Sequence, residues 1–147
     1  GLFESFRWAG HGILNCVRNE RNFRVHFVAA VYVVMLAFLL KLDRLHFAVL
    51  CLTIGNVLAM ELLNTAVEAW VDLISPEKHP LAKLSKDAAA GAVLISAIVS
   101  VAVGFSLLWK LDQLLLLASH IFASPILLAF LAVSAVFALW FIFGLEK

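Results

Sequence analysis

This chain of 147 residues has little of what a water-facing surface requires. Only 14% of its residues are charged and 64% are hydrophobic, against roughly a quarter charged and about half apolar in a soluble domain. So few charges cannot coat a globule of this size, and the membrane class is the economical reading. There are two cysteines. Cys16 and Cys51 are far apart and lack metal-ligand spacing, which excludes a disulfide framework and a zinc site. No Gly-rich Walker loop is present, so a nucleotide site here must be of another kind. The formal net charge of +1 says little by itself, and no nucleic-acid partner is expected. The opening GLFESFRWAG has no long apolar run ending in a small-residue cleavage site, so it does not read as a cleaved signal. Lacking an initiator Met, it is expected to continue a longer chain.

What the chain does have is long apolar segments. Four are expected to be membrane helices: 27–45, 47–74, 88–109 and, after a short apolar stretch from Leu114 to Ser124, 125–143. About 20 apolar residues span a bilayer. Segments two to four meet that length, and the first needs its flanks. Ahead of them, residues 2–19 repeat Phe3, Phe6, Gly10, Ile13 and Val17 at helical spacing, with Glu4, Arg7, His11, Asn15 and Arg18 on another face. That pattern predicts an amphipathic helix lying in the membrane interface. The fold class is therefore all-α integral membrane, one domain over 1–147.

Basic residues orient the spans. Arg7, Arg18, Arg21, Arg24, Lys78, Lys83, Lys86 and Lys147 fall on one side of a four-span chain, and Lys41, Arg44 and Lys110 on the other. The richer side is expected to be cytoplasmic.

The polar residues inside the second span carry the most information. Glu61, Asn64, Glu68 and Asp72 follow at spacings of three, four and four, along one narrow face of a helix. Acids are costly in a membrane and seldom sit there without a function. Glu61 lies about 10 Å deeper than Glu68 at a rise of about 1.5 Å per residue, so the stripe runs from inside the bilayer to the interface. Two further polar groups belong to the same face: RNERNFRVH (Arg18 to His26) and the link SPEKHPLAKLSKD (Ser75 to Asp87). Interfacial carboxylates can hold Mg²⁺, basic side chains can balance phosphate charge, and a deeper Glu can take a proton from a hydroxyl. These are the parts of phosphoryl transfer. The bland alternative is that the acids only hydrogen-bond neighbouring helices. His26 and His79 form no local pair, and each reads equally as an interface residue or a site residue.

The motifs RNERNFRVH, ExxNTAxExxVD (Glu61 to Asp72) and AKxxKDxAAGAVL (Ala82 to Leu94) resemble the small bacterial integral-membrane diacylglycerol kinase and undecaprenol kinase family over residues 5–109, and look closer to the undecaprenol kinases. The resemblance implies a homotrimeric lipid kinase of the bacterial inner membrane, with sites shared between protomers and MgATP at the cytoplasmic face. It implies Glu61 as general base, Asn64 as a polar site residue, and Glu20 and Glu68 as metal-binding acids. It also implies nucleotide contacts from Trp8, Glu77, Lys78, His79, Lys86 and Asp87. The acceptor it implies is undecaprenol, with diacylglycerol as the alternative. A lipid phosphate phosphatase and a non-catalytic membrane protein remain as rivals. The segment 125–143 departs from the family's three-span pattern.

Overall fold

The computed structural model describes residues 1–75 and 79–145. It holds six helices: α1 (Leu2–Asn19), α2 (Arg21–Leu39), α3 (Arg44–Ile74), α4 (Pro80–Leu108), α5 (Leu111–Ala123) and α6 (Pro125–Phe143). Among the described residues α2, α3, α4 and α6 are long and apolar enough to cross a membrane. Between none and 17% of each spanning window is buried within the chain. The remaining apolar surface requires lipid or other helices against it.

α1 and α6 run over the predicted residues. The other spans begin earlier than expected: α2 at Arg21 rather than 27, α3 at Arg44 rather than 47, and α4 at Pro80 rather than 88. The reason is common to all three. Hydropathy detects only the apolar part of a helix and misses its polar first turns. The starts of α3 and α4 carry their own signals. The Asp43 side chain accepts from the backbone N–H groups of Leu45 and His46 at 3.0 and 3.2 Å and so caps α3. The His46 ring meets the same carboxylate, and these bonds hold the Asp43 carboxyl below its ordinary value. Pro80 sits in the first turn of α4, where its missing N–H costs nothing. The short apolar stretch after the third span is itself helical, as α5.

The centre of the fold is an antiparallel hairpin of α3 and α4, the most extensive helix pair. Asn56 donates to the Ser96 hydroxyl at 3.0 Å within its apolar length. Such a bond is worth about 0.6 kcal/mol in lipid but fixes the register of the pair. α2 packs mainly on α3, and α6 lies antiparallel on the outside of α2. A core of Ala37, Leu40, Leu50 and Leu108 closes one end, with Leu114 of α5 packed against it. The acidic stripe lies toward the other.

The turn between α2 and α3 is a helix stop of the Schellman kind. Leu42 N–H bonds Ala37 O and Lys41 N–H bonds Phe38 O, each at 3.0 Å. It needs a left-handed residue, and Lys41 adopts φ 49°. A side chain is strained there where glycine is not. Lys41→Gly is expected to raise stability by about 0.5–1 kcal/mol, read as a higher Tm in detergent. An unchanged or lowered Tm would show that the turn is not under this strain.

Candidate active site

Glu61 is the one buried acid among the described residues, 3% exposed on α3. A carboxylate in that position requires compensation from the protein. It comes from α2: His26 Nε2 stands 3.2 Å from Glu61 Oε1. His26 occupies this place because α2 begins six residues before its apolar part and carries the RNERNFRVH residues down against α3.

One turn toward the end of α3, Asn64 Nδ2 donates to Glu68 Oε1 at 3.0 Å. The same side chain leaves its Oδ1 buried and without a hydrogen-bond partner. Buried acceptors are seldom left unpaired, so this oxygen is set for something else. One turn further, Asp72 pairs with Lys86 of α4. That pairing gives Asp72 a position in the stripe: it anchors the lysine beside the acids, in a pair too exposed to add much stability.

Glu20 closes the corner between α1 and α2, where it ends the first helix and starts the second. Cys16, one turn earlier and 3% exposed, packs α1 onto Thr65 of α3. Burial pushes the Cys16 thiol up, a hydrogen bond with Thr65 works against it, and the charges of Glu20 and Glu61 push it further up. Glu20 and Glu61 thus both act electrostatically on this thiol. The resemblance offered sharing between protomers as the way Glu20 reaches the stripe. Within the single chain α1 also packs on α3, on the side that carries Glu20 toward it.

The remaining expected residues are less central. His79 is exposed and caps α4, its Nδ1 accepting from Leu81 N–H at 3.2 Å. Asp87 is exposed beside Lys86. Trp8 is 66% exposed on α1, with its ring against Arg7 and His11 of the same helix. Glu77 and Lys78 lie outside the described residues. His26 is the residue that sequence reasoning left open between an interface and a site role. Its signal was a histidine two residues after a buried arginine at the head of an apolar helix, which no local pairing singled out.

By donor type, oxygen throughout, Glu20, Glu68 and Asn64 suit a hard cation. Glu20 and Glu68 supply carboxylate oxygens and Asn64 Oδ1 an unclaimed carbonyl oxygen. Among the described residues no three His, Cys, Asp or Glu side chains stand close enough to hold an ion alone. Mg²⁺ at a nucleotide uses one or two carboxylates plus the phosphates and needs no such cage. On the lipid side of His26 a cavity of about 430 Å³ runs between α2, α3 and α4, past Val33, Val57 and Val101 to Trp109. Its walls are almost entirely apolar.

A sequence profile of the prokaryotic diacylglycerol kinase family matches residues 7–108. The chain is 48% identical over 103 residues to the undecaprenol kinase of Bacillus subtilis, covering 70% of this chain and 84% of that one. It is 48% identical over 108 residues to a diacylglycerol kinase of Synechocystis, covering 73% of this chain and 62% of that one. The diacylglycerol kinase of Escherichia coli is 40% identical over 92 residues, covering 63% and 75%. α1 to α4 lie almost wholly within the matched region, and α5 and α6 lie beyond it.

The Glu20 charge opposes the Cys16 thiolate, and Glu20→Gln removes it. In a Cys51→Ala background, the pH midpoint of Cys16 alkylation is expected to fall. An unmoved midpoint would separate Glu20 from this face.

Proposed function

The chain belongs to the prokaryotic diacylglycerol kinase family and is a membrane lipid kinase, a phosphotransferase with an alcohol acceptor and ATP as donor; from that premise we propose that it phosphorylates undecaprenol, with Glu61 as general base. The observation that carries the reading is the position of Glu61. It is a buried carboxylate held against His26, and His26 in turn lines the apolar cavity. A long isoprenoid chain fits walls without polar demands, and its terminal hydroxyl would lie at Glu61. The Bacillus relative, of which the chain spans 84%, carries the name undecaprenol kinase. Diacylglycerol remains the alternative acceptor.

In this reading the lipid oxygen attacks the γ-phosphorus in line. The new O–P bond forms as the bond from that phosphorus to the bridging oxygen of ADP breaks. Glu61 takes the hydroxyl proton, and no side chain is phosphorylated along the way. Glu20, Glu68 and Asn64 Oδ1 would hold Mg²⁺, which on binding screens the phosphate oxygens. Lys86, steadied by Asp72, adds positive charge for the phosphates, with Asp87 and His79 close by in sequence. Glu77, Lys78 and Trp8 stay in the reading as nucleotide contacts on the family resemblance alone. The cytoplasmic side is supported by the charge asymmetry of the spans. A homotrimer with shared sites is supported by the resemblance and by small residues, Ala88 and Ala90, left exposed on α4.

Glu61→Gln is expected to cut turnover by on the order of 100-fold or more while MgATP binding persists in an equilibrium assay. Near-normal turnover would remove Glu61 as the base. Glu68→Gln is expected to raise the Mg²⁺ concentration needed for half-maximal rate, and an unmoved requirement counts against its role. Offered separately with labelled ATP, undecaprenol should take up label faster than diacylglycerol; the reverse order selects the alternative.

His26 gives a finer test. With its nitrogen removed, the Glu61 carboxylate loses the group that holds it. His26→Ala is expected to lower kcat by on the order of tenfold to 100-fold, with KM for ATP little changed. His26→Gln should recover part of that loss, because its amide nitrogen can reach the same oxygen. Equal activity in both variants and the unaltered chain would leave His26 without this part.

A further inference from the structure

Two features are left over from the proposed chemistry. One is α6, which lies beyond the matched family region. The other is Arg24, a charged residue only 1% exposed. They meet. Arg24 Nε donates to the backbone oxygen of Ile142 at 3.0 Å, and its Nη1 donates to that of Arg18 at 2.9 Å. Both acceptors lie in last helical turns, of α6 and α1, where carbonyls have no intrahelical partner and carry the negative end of the helix dipole. The planar fork of arginine can serve two such carbonyls at once. One guanidinium therefore ties the ends of α1 and α6 to the start of α2.

α6 has no buried residue, so it is not there to fill a core. In lipid, apolar contact alone gives helices little reason to associate, and hydrogen bonds and close packing decide where they dock. The docking contacts of α6 on α2 are specific and run in antiparallel order. They are Arg24 with Ile142, Phe27 with Phe141 (ring centres 6.4 Å apart), and Tyr32 donating to Ser134 at 3.1 Å. The Arg18 and Arg24 that this clamp spans bracket Glu20.

We propose that α6 is a strut: through Arg24 it holds the corner between α1 and α2, and so sets the position of Glu20 opposite the stripe on α3. The part concerning Glu20 rests on the metal-binding role proposed above. The strut itself does not. Arg24 acts through other groups and is a positioning residue.

Two full-length variants in the Cys51→Ala background test the strut. Arg24→Lys keeps the charge but loses the fork. The triple variant Tyr32→Phe, Ser134→Ala, Phe141→Ala loosens α6 and leaves Arg24 and the matched acids untouched. Cys16 is the gauge of the corner, because its burial depends on α1 lying against α3. Its alkylation at fixed pH is expected to quicken on the order of fivefold in both variants, the scale of one lost ordinary hydrogen bond. The Mg²⁺ concentration for half-maximal rate is expected to rise by a similar factor, with KM for the lipid unchanged. Unchanged alkylation in both variants overturns the strut. Faster alkylation with an unmoved Mg²⁺ requirement overturns its link to Glu20. Glu20→Gln, assayed alongside, separates the two ideas. If that change itself leaves the Mg²⁺ requirement unmoved, the metal role of Glu20 falls, and alkylation alone judges the strut.

Discussion

Hydrocarbon offers no hydrogen bonds, so every polar group that enters the membrane must be satisfied from within the protein. This constraint organises the chain. Asn56 finds Ser96 and sets the register of α3 on α4. Tyr32 finds Ser134 and places α6 on α2. Arg24 finds two helix-end carbonyls. Glu61, the costliest group of all, finds His26. Each polar contact joins two helices, whereas the apolar surface, largely exposed within the single chain, distinguishes poorly between one neighbour and another.

Among the described residues the exception to this satisfaction is Asn64 Oδ1, buried without a partner. It sits between buried Glu61, whose partner His26 lines the apolar cavity, and the half-buried Glu68. The stripe thus has a gradient along a single helix. Its deep end is desolvated and held by a histidine, its middle has an unclaimed oxygen, and its shallow end is tied to a lysine through Asp72. A lipid alcohol and a polyphosphate have opposite solvation needs, and this gradient lets one protein face meet both.

Much of this was legible in the chain. Glu61, Asn64, Glu68 and Asp72 could be put on one face from spacing alone, because helical periodicity is a local property and the surrounding segment is uniformly apolar. The amphipathic α1 and the extra α6 were legible for the same reason. Helix starts were read late, since Arg21 to His26 and Pro80 to Asp87 look like loop by hydropathy while their caps and turns are helical. His26 was not singled out, because its partner is 35 residues away on another helix. How α1 packs on α3, and with it where Glu20 stands, was not legible, because nothing in the order of residues says how α1 folds back over Thr65.

By itself, then, the sequence determined that this is a helical membrane protein, which helix carries the acids and which face they share. Those properties follow from composition and from a repeat of 3.6 residues, both of which act over a few turns. Only the tertiary structure decided which groups meet across helices: His26 with Glu61, Lys86 with Asp72, Cys16 with Thr65, and Arg24 with the end of α6. Such meetings depend on how helices pack and at what register. Packing is set by the few polar contacts that lipid cannot replace, and no single segment contains both halves of any of them.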